Sequence, residues 1–351
     1  MTPNSSSTKR ISFEEFLENQ ISQEHACEEI FESLSYQIEP ELEDIRTQIR
    51  SLRCDTRPDV RAMNVMLFGP SGAGKSSLIR TLFSAYNKKM LSSAEISEEL
   101  VIKGSAENEG TRRLSRFRLS DSKQSVLTVD GKSYTQNFVG LHFFDTRGQI
   151  WFSKNEEADL DHLLAGTAKE GAVLTHRVKR NPMLAWEFWK SSERLYEESS
   201  LQAATINSQP HCVVFVLDGS VDFILGSTEE ATFYKNVLRR CGRLGFENPI
   251  IIISKIDLYE AKLKEKLKKE TLSEKQLEIK VAEEISNRML TVHKVLGVPL
   301  HNIHYVQNYS HDNEARNLKI DYYALRTLVF LIKEAERFLK TSKGSGICNI
   351  F

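Results

Sequence analysis

The stretch Gly69-Pro70-Ser71-Gly72-Ala73-Gly74-Lys75-Ser76 decides the fold. It fits G-x-x-x-x-G-K-[ST], the pattern of a phosphate-binding loop. Met63-Asn64-Val65-Met66-Leu67-Phe68 precedes it and reads as a short buried strand. Leu78, Ile79, Leu82, Phe83 and Tyr86 follow at the spacing of one helix face. The loop therefore stands between a strand and a helix N-terminus. There, glycines let backbone N–H groups crowd round a phosphate, and the helix dipole favours its negative charge. Lys75 is placed to reach the β- and γ-phosphates, and the Ser76 hydroxyl to bind Mg²⁺. The expected phosphate cradle runs from Gly69 through Ser77.

Three later segments extend this reading. Thr111 follows Glu109-Gly110 and precedes the strand-like run Leu114 to Leu119. That is the place of the threonine whose hydroxyl meets Mg²⁺ and the γ-phosphate, with Ser105 and Ser115 as substitutes. Next, the apolar run from Val139 ends in Asp145-Thr146-Arg147-Gly148-Gln149. An Asp at the carboxyl end of a central strand holds Mg²⁺ through water, and the Gly148 N–H would sense the γ-phosphate. Gln149 stands where an attacking water is oriented. Arg147 is a weaker candidate for transition-state charge. Finally, Pro249-Ile250-Ile251-Ile252-Ile253 leads into Ser254-Lys255-Ile256-Asp257, a [NTS]-K-x-D motif. The Asp257 carboxylate would accept from guanine N1–H and the 2-amino group, donors that adenine lacks, and Lys255 would lie along the base. Ile303 to Val306 reads as the last strand, and Asn308 and Tyr309 after it belong to a loop closing over the base.

The expected architecture is an α/β, three-layer P-loop domain with a mostly parallel sheet and the nucleotide at the carboxyl ends of the strands. With 351 residues and ample apolar content, the chain can hold one large domain with additions. A net charge of −1 gives no basic field for nucleic acid. The cysteines, five in number, lack metal spacing and suit a reducing, cytoplasmic setting. No apolar run approaches a membrane span, and the first residues form no signal peptide.

Residues 1–60 are read as a disordered lead followed by two or three amphipathic helices, with Pro40 breaking the run. The domain is placed at 61–340. An insertion at about 150–210 carries every tryptophan (Trp151, Trp186, Trp189) and the basic patch His176-Arg177-Val178-Lys179-Arg180. It suits a lid, a dimer contact or a packed helix pair. The interspersed Lys and Glu of 258–293 read as one solvated helical stretch. A last helix is expected from about Asp321 to Lys340, and a flexible tail at 341–351.

At a finer level the chain resembles the interferon-induced protein 44 and 44-like family. The residues that carry this are Leu67-Phe68-Gly69-Pro70-Ser71-Gly72-Ala73-Gly74-Lys75-Ser76-Ser77, His211-Cys212-Val213-Val214-Phe215-Val216, and Asn308-Tyr309-Ser310 followed by a helix ending Glu336-Arg337-Phe338-Leu339. The resemblance implies a cytoplasmic protein of the innate antiviral response that binds GTP and GDP. With the motifs above, the expectation is Mg²⁺-dependent hydrolysis of GTP, with Lys75, Thr111 and Gln149 as the catalytic set. A nucleotide-stabilised scaffold with negligible turnover is the alternative, and a homodimer or assembly is a further expectation.

The C-terminus, Cys348-Asn349-Ile350-Phe351, reads loosely as a prenylation box, and its terminal Phe favours geranylgeranyl. It resembles the tail of the guanylate-binding proteins at that point alone. One prenyl chain beside Lys340 and Lys343 would give reversible membrane contact. Mass spectrometry of the C-terminal peptide from a eukaryotic host is expected to show a prenylated Cys348; an intact, unmodified tail would end this reading.

Overall fold

The computed structural model describes residues 35–51, 60, 62–91, 114–119, 126–129, 132–135, 140–146, 154–172, 201–221, 228–268, 272–309 and 315–342. In chain order they form α1 (Ser35–Ser51), β1 (Ala62–Phe68), α2 (Lys75–Asn87), β2 (Ser115–Leu119), β3 (Val126–Val129), β4 (Lys132–Thr135) and β5 (Gly140–Asp145). Then come α3 (Lys154–Ala165), β6 (Cys212–Asp218), α4 (Thr228–Arg243), β7 (Ile250–Ser254), α5 (Ile256–Leu267), α6 (Glu274–Leu296), β8 (Ile303–Val306) and α7 (Leu318–Thr341).

Six strands make one sheet in the order β2-β5-β1-β6-β7-β8. β2 runs antiparallel to β5, and the remaining pairs are parallel. β1 is central: Val65 stands opposite Phe143 of β5 on one side and Cys212 of β6 on the other. All seven residues of β1 are buried, as a strand covered on both faces requires. The pleat sends alternate side chains to opposite faces. Met66, Phe68, Val213, Phe215, Leu217, Ile251 and Ile253 enter a core shared with α3, α4, α5 and α6. Val65, Leu67, Val214, Val216, Ile250 and Ile252 enter a second core shared with α1, α2 and α7. The result is the expected three-layer α/β P-loop fold. β3 and β4 pair with each other in a separate antiparallel ribbon.

Two expectations are corrected. Pro40 does not break the N-terminal run, because α1 continues through it. Proline removes one N–H bond, yet Ile38, Leu42 and Ile49 still fall on one face and are at most 3% exposed against α7. Tertiary packing outweighs the lost bond. The charged stretch of 258–293 is two helices rather than one. Ser273 starts the second with reciprocal bonds: its Oγ accepts from the Gln276 N–H, while its own N–H donates to Gln276 Oε1 at 2.9 Å.

The described part of the insertion is a packed helix, with Leu160, Leu163 and Leu164 of α3 buried. Its ends meet: Ala168 bridges Leu201, and the Gln202 N–H donates to Thr167 O at 2.8 Å. The tryptophans and the basic patch lie outside the described residues, as do residues 1–34, where any further N-terminal helix would fall.

α1 is thus part of the domain's core. Leu42→Ala is expected to cost about 2–5 kcal/mol in urea unfolding, the range for a fully buried leucine. A loss below about 1 kcal/mol would show α1 to be a separable appendage.

Candidate functional site

The glycines of the phosphate loop are set by close approach. Gly69 follows β1 directly, and a Cβ on it would lie 2.0 Å from the Val216 carbonyl oxygen of β6. Gly74 takes a φ of 84°, the left-handed region that favours glycine, and caps α2. A Cβ there would lie 3.0 Å from Asn308 Nδ2. Between them Pro70, Ser71 and Gly72 face outward while Ala73 is buried, so the loop folds over the α2 N-terminus. Ser76 and Ser77 are exposed in the first turn.

Lys75 is 6% exposed, and its Nζ donates to Gly69 O and Pro70 O at 3.0 Å each. Burial holds its pKa below the ordinary lysine value, and nearby Asp145 opposes that shift.

Asp145 ends β5 at 2% exposure. Its Oδ2 accepts from Ser76 Oγ at 2.5 Å. A hydroxyl and a carboxylate are the hard oxygen donors that Mg²⁺ takes, with phosphate and water completing its shell. Their contact puts both donors at one point, so the residues present fit the ion. Next to Asp145, the Thr146 hydroxyl is buried and donates to Leu67 O at 2.8 Å, tying this loop to β1.

The Ser254-Lys255-Ile256-Asp257 motif is fastened to the phosphate loop. Ser254 ends β7 with no exposed surface; its Oγ donates to Ala73 O at 2.5 Å and lies 3.1 Å from Leu217 O. A hydroxyl at the motif's first position therefore ties the base side to the phosphate loop. Lys255 follows with a φ of 55°, an unusual conformation for a residue with a Cβ. This turn starts α5 and puts Asp257 in its first turn. Lys255 Nζ pairs with Asp218 Oδ2 at 2.6 Å, at the end of β6. The Ser220 N–H and hydroxyl also donate to Asp218, so its carboxyl sits below the usual range. Asp257 shows the opposite shift. Burial raises its pKa, only partly offset by its own and Leu258's backbone N–H groups and by Lys255.

The loop after β8 divides the two residues expected on the base. Asn308 reaches the phosphate loop, its Nδ2 donating to Gly74 O at 3.2 Å. Tyr309 does not face the site. Its ring is 1% exposed and turned toward α7, where its hydroxyl meets Asp321 Oδ1 at 2.8 Å. Its backbone is pinned to α2 instead: the N–H donates to Thr81 Oγ1 at 2.8 Å and the carbonyl accepts from Arg80.

The structure thus brings together Gly69 through Ser77, Asp145, Ser254, Lys255 and Asn308, with Asp257 in the first turn of α5. Thr111, Arg147, Gly148, Gln149 and Cys348 lie outside the described residues. Sequence reasoning missed Arg80, Thr81 and Asp218. The first two sit inside a helix and act on a loop more than 200 positions away, so no local pattern marks them. Asp218 carried a signal, since it is the one acid ending the apolar run of β6.

The molecule is an α/β P-loop protein. A family model described as "Protein of unknown function (DUF815)" matches residues 17–106. The interferon-induced protein 44-like of Homo sapiens is 25% identical over 292 residues, 80% of this chain and 53% of that protein. The chain thus spans about half the length of the curated relative it matches. Among solved structures, the signal recognition particle receptor SRb-GTP/SRX complex from Chaetomium thermophilum aligns with 74% of this chain and 98% of its own, at 15% identity and a TM-score of 0.32. The S. cerevisiae Ski7 GTPase-like domain, bound to GTP, aligns with 78% of this chain and 50% of its own, at 12% identity and a TM-score of 0.35. A dimerization-deficient mutant of Toc33 from Arabidopsis thaliana aligns with 90% of this chain and 96% of its own, at 12% identity and a TM-score of 0.34.

Ser254→Ala is expected to leave Ala73 O without its buried donor. The cost in folding free energy is about 1–3 kcal/mol, read by denaturant unfolding. A loss under about 0.5 kcal/mol would mean that the phosphate loop does not depend on this bond.

Proposed function

We propose that this chain binds guanine nucleotides and hydrolyses GTP to GDP and phosphate with Mg²⁺, acting as a nucleotide-dependent switch. The observation that carries the reading is the bond from Ser254 Oγ to Ala73 O. It ties a guanine-type motif to a phosphate-binding loop, so one ligand with both parts can span them.

In this reading the N–H groups at the start of α2 and Lys75 bind the phosphates. Lys75 leaves the Gly69 and Pro70 carbonyls to do so. Ser76 and Asp145 would hold Mg²⁺, which when bound neutralises charge on the β- and γ-phosphates. Thr111 would close over the ion, Gly148 would sense the γ-phosphate, and Gln149 would orient the attacking water. Asp257 would accept from the guanine edge, Lys255 would lie along the base, and Asn308 would border it beside Gly74.

The weak match to a human interferon-induced protein supports a role in innate antiviral response. A cytoplasmic protein with reversible membrane contact through a prenylated Cys348 fits the tail. Among the described residues no helix is long and apolar enough to cross a membrane. A scaffold that binds nucleotide without turnover is the second reading. It shares every binding residue with the first reading and differs in hydrolysis.

The deciding experiment compares GTP, GDP and ATP with Mg²⁺ at several protein concentrations, with Lys75→Ala as control. GTP-selective turnover absent in the variant is the expected result, and turnover that rises per molecule with concentration marks an assembly. Tight binding without turnover selects the scaffold. No preference for guanine over adenine overturns the proposal.

Asp257 gives a second test. A carboxyl whose folded pKa is raised stabilises the fold below its unfolded pKa, and that contribution is lost as pH rises through the folded one. At neutral pH the ionised group is therefore a cost to the free protein. Asp257→Asn is expected to raise the nucleotide-free melting midpoint at pH 7, by an amount that shrinks as pH falls through the Asp257 pKa. The same change should lower GDP affinity by about 10-fold or more. A variant that melts lower and binds GDP unchanged would remove Asp257 from the site.

A further inference from the structure

Arg46 lies on α1, outside every nucleotide motif, yet its side chain has no exposed surface. Its Nε donates to Ala85 O at the end of α2, at 2.9 Å. Its Nη2 stands 3.6 Å from Asp321 Oδ2 on α7, a carboxylate that is itself fully buried. Glu39 and Glu43 on α1 lie 3.5 and 3.6 Å from Nη1. Asp321 also accepts from Arg316 Nε at 2.9 Å, and its other oxygen meets the Tyr309 hydroxyl at 2.8 Å. That hydroxyl accepts from the Asn317 N–H at 2.9 Å, and Asn317 caps α7. Burial pushes the Tyr309 phenol up, so it keeps its proton, which faces Asp321 Oδ1 at 2.8 Å and Asn317 O at 3.0 Å.

These contacts run without a gap from the N-terminal helix to the site. Arg46 and Arg316 hold Asp321, and Asp321 with Asn317 holds the Tyr309 hydroxyl. The Tyr309 backbone is bound to Arg80 and Thr81 on α2. Asn308, one residue before, is bonded to Gly74. An apolar contact would leave this loop free to slide along α7. Here the links from Asp321 through Tyr309 to α2 are directional hydrogen bonds, and the buried Arg46–Asp321 ion pair at 3.6 Å ties their far end to α1.

We propose that Arg46 is a positioning residue for the base-side loop: through Asp321 and Tyr309, helix α1 fixes where Asn308 meets the phosphate loop. The inference rests on the guanine-nucleotide reading above. It adds that the N-terminal helix sets nucleotide retention. Asp321 keeps Arg316 when Arg46 is changed, so the loss loosens the loop rather than stranding the carboxylate.

The test uses the full chain with Tyr309→Phe, which keeps the ring, Arg46→Met, which keeps the length, and Arg46→Lys, which keeps the charge. Amide hydrogen exchange is followed in the nucleotide-free protein. Exchange at 307–309 is expected to quicken about 10-fold in the first two variants and less in Arg46→Lys. With ligand, GDP dissociation should quicken about 3- to 10-fold, while affinity for inorganic triphosphate stays within about 2-fold, since the phosphate loop keeps its own contacts. Unchanged exchange at 307–309 in Tyr309→Phe overturns the proposal. So does a uniform rise across the chain, or equal losses of GDP and triphosphate, which mark general destabilisation. If wild-type protein holds triphosphate but shows no preference for guanine, the nucleotide reading fails by itself, and the exchange result still decides the clamp.

Discussion

The passage of Gly69 beside β6 is the constraint on which the rest of the site depends. No side chain fits there, because the Val216 carbonyl already occupies the position of a Cβ. That closeness lets the chain turn out of β1 and start α2 with its N–H groups aimed at one point. It also fixes the phosphate loop against the sheet rather than against a neighbouring loop. The later contacts build on it. Ser254 can reach Ala73, and Asn308 can reach Gly74, only because the loop lies over the carboxyl ends of β6, β7 and β8. A parallel sheet supplies these ends side by side, so loops distant in sequence converge at one edge.

The site holds charge at a cost. Lys75 and Asp257 are both shifted toward their neutral forms by burial, and Lys255 adopts a backbone conformation that residues with a Cβ avoid. None of this benefits the free protein. Asp218 differs: already paired with Lys255 and Ser220, it is shifted toward its charged form and reads as scaffolding for the lysine.

Much of the fold was legible because its signals are local. A buried apolar run followed by a glycine or acidic turn marks β1, β5, β6 and β7, and the order of motifs implies their place in one sheet. The limits were physical. Pro40 reads as a helix break from its missing N–H, but the packing of Leu42 and Ile49 against α7 is not written nearby. Tyr309 reads as a base contact from its position after β8. Its ring turns inward because Asp321, on the following helix, offers a buried acceptor to the hydroxyl. Arg46 reads as one more charge on an amphipathic helix. Its partners lie on α2 and α7, and only the folded chain brings them together.

The two faces of the sheet take different parts in this arrangement. On the face of α1, α2 and α7, the polar groups around Asp321 hold the loop after β8, and α2 follows directly on Gly74 of the phosphate loop. On the opposite face, α3 follows the Asp145 loop, and the segment after it returns to the start of β2. The Leu114 N–H donates to Ala172 O at 3.0 Å, and the Gly171 N–H to Leu114 O at 2.9 Å. The root of the insertion is thus bonded to the residue that leads into β2. The central strand β1 lies between the two faces, and all seven of its residues are buried.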